Sequence, residues 1–204
     1  MEKKERLVYA RIGIEDWLAR LPSAAAVRPG QCSACRAASQ PAGSPVVLQG
    51  HGVRARVCLG PVNVAAGGES RTVLVRRYLC ARCGAVTVVA PRGLLPRRLY
   101  AAAAIGLALG LWGLQAQPSA EVQAQVARQG SRLGQRRWRT LARWAASAGT
   151  GGVFSEVQVA DGTGRESRQS LAARVANVLL GWVPPTCRAM PEEARYCIGG
   201  AHAA

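Results

Sequence analysis

The chain has 204 residues, enough for one or two small domains, and its 27 basic against 11 acidic side chains give a net charge of +16. Almost all of the basic residues are arginine, whose planar guanidinium group matches phosphates and base edges, so the charge favours a polyanionic partner. Seven cysteines without a secretory signal pattern favour a reducing cytoplasm and a metal site, and they argue against a disulfide framework.

The main chemical motif is a pair of Cys-x-x-Cys sequences that supplies four thiolates, the tetrahedral ligand set of a structural zinc. The predicted zinc ligands are Cys32, Cys35, Cys80 and Cys83. A catalytic zinc would leave one position for water, whereas both pairs are complete, so we expect no catalysis there. The alternatives are unrelated thiol pairs, a disulfide, or a redox motif, which would need a βαβ pattern that the sequence lacks. The other cysteines are predicted to be small buried hydrophobic residues: Cys58, Cys187 and Cys197. A second site that includes Cys187 and Cys197 is the less favoured alternative.

Residues 30–91 alternate short β-branched runs with glycines, a pattern typical of hairpin strands. Two of these runs flank the second cysteine pair directly, and strand, metal-binding turn, strand is the layout of a zinc ribbon. The other regions are predicted as an N-terminal helix and linker over 1–29, a helix-turn-helix-like helical domain over 92–148, and a C-terminal helix with a loose tail over 149–204. The expected fold class is therefore α+β, with a small four-cysteine β zinc ribbon followed by a mainly helical region.

An uncharged, mostly apolar run extends from Leu99 to Gln117. One membrane span is a possible interpretation, because about 17 to 19 uncharged residues can just cross a bilayer. Gly106 and Gly110 also form a small-residue pair of the kind found in membrane helix packing. Against a span, the run is rich in Ala and Gly, which insert weakly, and basic residues flank both of its ends. The alternative is a helix buried by its neighbours.

The following segment has the order of a helix-turn-helix motif. Ser119 is predicted to cap a short helix that ends at Gly130, and Ser131 to cap a longer one. Four arginines of the second helix form a stripe opposite an apolar face: Arg132, Arg136, Arg139 and Arg143. A solvated helix face would mix Lys with Glu, but the only acidic residue between Ser119 and Trp144 is Glu121. The stripe therefore indicates a surface that binds phosphate.

The stretches RRYLCARCGAVTVVAPRGLLPRRLY and SRLGQRRWRTLARW resemble a group of uncharacterised bacterial zinc-ribbon plus helix-turn-helix proteins related to the N-terminal region of insertion-sequence transposases. The resemblance covers residues 30–145, including both cysteine pairs, the segment 49–56 and the junction 96–100. It implies DNA binding in the context of transposition, and it supplies no catalytic residues. The sequence departs from the pattern of this group at Leu99, which separates Arg98 from Tyr100. A second departure is that fewer basic residues lie near His51 than are often seen in this group. It weakens the expectation that the ribbon itself contacts DNA.

The sequence thus predicts a non-enzymatic, cytoplasmic and nucleoid-associated bacterial protein that binds Zn²⁺ and reads duplex DNA with the arginine-striped helix. After residue 150 too few residues remain for a ribonuclease-H-like domain that would hold catalytic carboxylates around two metal ions. Partners would be duplex DNA and a larger transposase or a second copy of the chain. The alternatives are a membrane-associated protein with one span at 99–117, an RNA-binding ribbon protein, or an adaptor. The predicted DNA-binding residues are Arg97, Arg98, Arg128, Arg132, Arg136, Arg137, Arg139 and Arg143.

Overall fold

The computed structural model describes residues 6–63, 70–127, 138–154, 157, 159 and 166–204. Over these residues it contains a four-stranded sheet and six α-helices, which confirms the predicted α+β class. Contacts divide the chain into two compact units. The first unit comprises Met1–Val57 and Thr72–Arg92, and the second comprises Cys58–Arg71 and Gly93–Ala204.

The sheet belongs to the first unit, apart from one end residue of each of two strands. Its strands are β1 Arg6–Gly13, β2 Leu48–Cys58, β3 Arg71–Cys80 and β4 Val86–Arg92. Their order across the sheet is β1-β4-β3-β2. β1 runs parallel to β4, whereas β3 and β4 are antiparallel neighbours. The second cysteine pair therefore lies between the two central strands, and β1 and β2 form the edges.

The core of the first unit follows the alternation of β3. Val73 and Val75 are fully buried, while Leu74 between them is exposed. Tyr78 is also fully buried, and its hydroxyl donates to the carbonyl oxygen of Ala24 at 2.7 Å. These contacts fasten the segment that precedes the first cysteine pair onto the sheet.

The N-terminal segment differs from the predicted helix and linker. β1 occupies its first described residues, and the helix α1 covers only Ile14–Ala19. The buried Trp17 of α1 donates its indole N–H to the carbonyl oxygen of Leu74 at 2.8 Å. β1 forms because its backbone pairs with β4, far along the chain, and a long-range partner leaves no signal in the local spacing of apolar residues.

The second unit is helical and is arranged around one apolar helix. Its helices are α2 Ala102–Gly113, α3 Ser119–Val126, α4 Arg139–Gly149, α5 Arg168–Gly181 and α6 Glu192–His202, with a 3-10 turn at Pro185–Cys187. The ten residues 102–111 of α2 are all buried. α3, α4, α5 and α6 all contact α2. The apolar run of the sequence is thus a helix enclosed by its neighbours.

The length of α2 also separates the two interpretations of that run. Its 12 residues correspond to roughly 18 Å, against the ~30 Å of hydrocarbon that a membrane span must cross. Among the helices of the described residues, none combines the length and the apolar character that crossing a bilayer requires.

Glycines allow α2 and α6 to pack with their backbones in contact. A Cβ atom added to Gly106 would lie 2.5 Å from the carbonyl oxygen of Tyr196, and one added to Gly200 would lie 2.5 Å from that of Ala102. Gly110 faces the ring of Tyr196. The predicted loose tail is therefore wrong, because α6 is part of the core. The small residues that permit this packing give no strong apolar stripe from which the helix could be predicted.

Replacing Gly106 with alanine should lower the free energy of unfolding by about 1–3 kcal/mol, because the added methyl group overlaps backbone atoms that have little room to move. Gly181→Ala is the matched control. Gly181 is the last residue of α5 and has open space around it, so alanine there should raise stability by less than about 1 kcal/mol. Urea unfolding followed by circular dichroism measures both changes, and equal stabilities would contradict the backbone contact.

Candidate metal centre and arginine surface

The second cysteine pair lies in a tight turn between β3 and β4. The backbone N–H of Cys80 donates to the carbonyl oxygen of Ala85 at 3.0 Å, and the N–H of Gly84 donates to the carbonyl oxygen of Cys80 at 2.7 Å. Gly84 has a φ of 68°, a left-handed conformation that glycine adopts without steric cost. The turn thus holds Cys80 and Cys83 in one compact loop.

The first pair, which precedes β2, repeats this backbone geometry. The N–H of Cys32 donates to the carbonyl oxygen of Ala37 at 2.8 Å, and the N–H of Arg36 donates to that of Cys32 at 3.0 Å. Arg36 occupies the position that Gly84 has in the other turn, and its φ is 62°. That conformation costs a residue with a side chain roughly 1–2 kcal/mol. The bond from the N–H of Arg36 to Cys32 closes the turn and offsets part of this cost.

The two turns bring the four sulfur atoms together, as predicted from the two pairs. The Sγ atoms of Cys32 and Cys83 are 3.8 Å apart, as are those of Cys35 and Cys80. All four lie within 4.8 Å of one another. A tetrahedral ion with metal–sulfur distances of about 2.3 Å would separate neighbouring ligands by about 3.8 Å. The four cysteines could therefore hold a metal ion.

The four thiols differ in exposure and acidity. Cys32 and Cys80 are buried, Cys35 is half-buried and Cys83 is exposed. Burial opposes ionisation of Cys32, but hydrogen bonds from neighbouring backbone N–H groups and thiols outweigh it and lower its pKa to about 7. At Cys83 the backbone N–H of Ala85 favours the thiolate, but desolvation and the other three thiols raise the pKa to about 11. The thiols thus resist ionising together, and a bound cation would offset that resistance.

Polar side chains of two strands fix the first loop in place. Arg6 of β1 donates to the carbonyl oxygen of Ser33 at 2.6 Å. The hydroxyl oxygens of Ser33 and of the buried Thr87, on β4, lie 2.8 Å apart. The sulfur cluster is thus positioned by β1 and by both central strands of the sheet.

In the second unit, α4 carries two of the predicted DNA-binding residues on its exposed side. Arg139 and Arg143 are exposed and lie about one helical turn apart, while Leu141 and Trp144 are buried. α4 begins at Arg139, after Trp138 in a non-helical conformation with a ψ of 84°, so the helix predicted to follow Ser131 does not run unbroken to Arg143. Four predicted contacts lie outside the described residues: Arg128, Arg132, Arg136 and Arg137.

An aromatic cluster surrounds the start of α4. The ring of Tyr100 meets those of Trp138 and Trp144 edge-on, with centroid distances of 6.0 and 4.9 Å. The two tryptophan rings are 5.1 Å apart. Each such pair contributes about 0.5–1.5 kcal/mol beyond the burial of its area. This packing gives a physical reason for the conformation of Trp138, because the ring is held by tertiary contacts that local sequence does not report.

The junction before α2 adds two further arginines beside α4. Arg98 donates to the hydroxyl oxygen of Ser147 at 2.9 Å, and Ser147 lies one helical turn beyond Arg143. Arg97 is exposed and has a φ of 56°, a conformation in which glycine would be unstrained. Local stability therefore does not account for an arginine at position 97.

No protein-family model, curated protein or solved structure matches the chain. Two features were missed from the sequence: the left-handed conformation of Arg36, and the bond from Arg98 to α4. The first had a signal, since superposing the two Cys-x-x-Cys pairs places Arg36 opposite Gly84. Outside the cluster, Cys58 and Cys197 are buried, as predicted. Cys187 is only half-buried.

Arg36→Gly should raise the free energy of unfolding of the first unit by about 1 kcal/mol, because it removes the strain of a left-handed residue with a side chain. Gly84→Ala, which introduces that strain at the equivalent position, should lower it by a similar amount. Urea unfolding monitored by tryptophan fluorescence measures the free energy of unfolding of both variants. A destabilised Arg36→Gly variant would show that the guanidinium group contributes more than the strain costs.

Proposed function

We propose that the protein is a non-enzymatic, zinc-dependent DNA-binding protein, in which Zn²⁺ holds the first unit together and α4 contacts duplex DNA. The observation that carries the DNA-binding part is the exposure of Arg139 and Arg143 on one side of a helix that has no acidic residue. A helix-turn-helix role for α3 and α4, and a relationship to transposases, belong to the same proposal and are supported by the resemblance of the sequence.

Zinc is the ion that this ligand set favours. Four thiolates are soft ligands, and a tetrahedral all-sulfur set is typical of zinc or of an iron–sulfur centre. Both turns supply complete pairs, so no position is left for a reacting water, and the role is structural. Structural zinc contributes about 10–16 kcal/mol to the folding of small domains. That is as large as the whole stability of a typical domain, about 5–15 kcal/mol.

The arginines of the second unit suit contact with phosphate. Arg139 and Arg143 lie about 6 Å apart along α4, from the rise of an α-helix. Arg98 bonds to Ser147 on the next turn, so three guanidinium groups follow one side of the helix. One guanidinium group can donate two parallel hydrogen bonds to the oxygens of one phosphate. Each phosphate that is neutralised in this way releases condensed counterions from the duplex.

Single-stranded RNA is the less favoured ligand. Proteins that read single strands stack the bases on exposed aromatic rings. The two tyrosines that could serve near the basic segments do not offer such rings, since Tyr78 is fully buried and Tyr100 packs against two tryptophans. This arrangement favours duplex DNA as the partner.

Purified protein should contain one zinc ion per chain, and Cys80→Ser should lose it because three thiolates bind far more weakly than four. Elemental analysis measures the zinc content, and circular dichroism with and without a chelator measures the loss of the sheet. Cys187→Ser, outside the cluster, is the matched control and should keep the metal. Full zinc content in Cys80→Ser would contradict a four-sulfur site.

The double variant Arg139→Gln/Arg143→Gln should bind duplex DNA about 10- to 100-fold more weakly at physiological salt. Its plot of log affinity against log salt should flatten by about 1.8, because each lost phosphate contact removes about 0.9 from the slope. Fluorescence anisotropy with a labelled 30-base-pair duplex measures both quantities.

Arg168→Gln/Arg188→Gln is the matched control for this experiment. It removes the same charge from two other exposed arginines of the second unit, and its salt slope should stay close to that of the wild type. Equal slopes for the two double variants would count against α4 as the contact element.

A further inference from the structure

The edge strand β2 is exposed along almost its whole length. Only its end residues, Leu48 and Cys58, are buried, and the nine residues between them are exposed or half-buried. A strand that lies on a core normally buries every second side chain. β2 instead presents both of its faces, including Val53 and Val57, which are 41% and 49% exposed. This segment is available to a partner.

The charge of the first unit limits what that partner can be. Over the described residues 6–57 and 72–92, eleven arginines stand against two acidic residues, Glu15 and Asp16. Neither acidic residue lies on a strand, since both are in α1. Arg54 and Arg56 lie two residues apart on β2 and therefore share one face of the strand. The exposed edge is thus cationic.

A second copy of the chain fits this edge poorly. Pairing β2 with another β2 would bring like charges close together across the new ladder, which is destabilising. Charged side chains on an edge strand are also a known protection against such pairing. A polyanion fits the edge well, and the major groove of duplex DNA is wide enough to admit a β-ribbon made of two adjacent strands.

We propose that β2, with its neighbour β3, is a second contact for duplex DNA, in which Arg54 and Arg56 bind phosphates. This inference rests on the proposed function and adds to it, because it assigns a DNA contact to the first unit, separate from α4. The sulfur cluster would then support binding indirectly, since it lies at the turn from β3 to β4 and holds the strand that pairs with β2.

The test compares three double variants of the full chain in anisotropy titrations against a random-sequence 30-base-pair duplex. They are Arg54→Gln/Arg56→Gln on β2, Arg139→Gln/Arg143→Gln on α4, and the control Arg11→Gln/Arg20→Gln. The control pair is exposed in the same unit but lies outside β2. We expect the β2 variant to lose about 5- to 50-fold in affinity and about 1.8 in salt slope. The control variant should lose less than half as much affinity, and less than half as much salt slope, as the β2 variant.

Hydrogen exchange gives a second measurement that does not depend on variants. Binding of the duplex to wild-type protein should slow exchange of the amides of β2, while those of β1 should change little. This inference is overturned if the β2 variant has the affinity and salt slope of the control variant and the duplex does not protect the β2 amides from exchange. If the α4 variant still loses affinity in that case, the proposed function stands. A wild-type protein that does not bind the duplex overturns both. A dimer that Arg54→Gln/Arg56→Gln dissociates, with unchanged DNA affinity, would identify the edge as a contact between copies.

Discussion

The convergence of four sulfur atoms is the constraint on which the first unit depends. Cys35 and Cys80 are 45 residues apart in sequence, yet their sulfurs lie 3.8 Å from each other. Closing a loop of that length costs entropy that grows only slowly with its length, so one strong cross-link can offset it. The cluster ties the loop before β2 to the turn between the central strands.

The first turn carries backbone strain beside the sulfur cluster. Arg36 repeats the conformation of Gly84 although its side chain disfavours it. The N–H of Arg36 closes the turn on Cys32, and the bonds of Ser33 to Arg6 and to Thr87 fix the loop to the sheet. A small unit with a modest core can keep such a conformation only when other contacts over-determine it.

The second unit is held together in a different way. Its central helix has glycines where α6 approaches, so the two backbones come into contact there. Larger side chains of the same helix, such as Ile105 and Leu109, are fully buried. A helix that is apolar on all sides must be covered on all sides, and four helices cover α2. The apolar run that suggested a membrane is thus a requirement of this packing.

The sequence predicted those features whose signals are local. The cysteine spacing predicted the sulfur cluster, and the β-branched runs around Cys80 and Cys83 predicted β3 and β4. β1, α6 and the start of α4 at Arg139 could not be predicted in this way. Each depends on a distant partner: the β4 backbone, the glycines of α2, and the rings that pack on Trp138.

The distribution of arginines connects the two units with one kind of partner. On the proposed function, α4 and β2 each offer two guanidinium groups to the phosphates of a duplex. Either pair alone would give only a weak contact that salt readily screens. Loss of the metal would then remove the contact made by β2, because the cluster holds the strand beside it, and would leave only the contact made by α4.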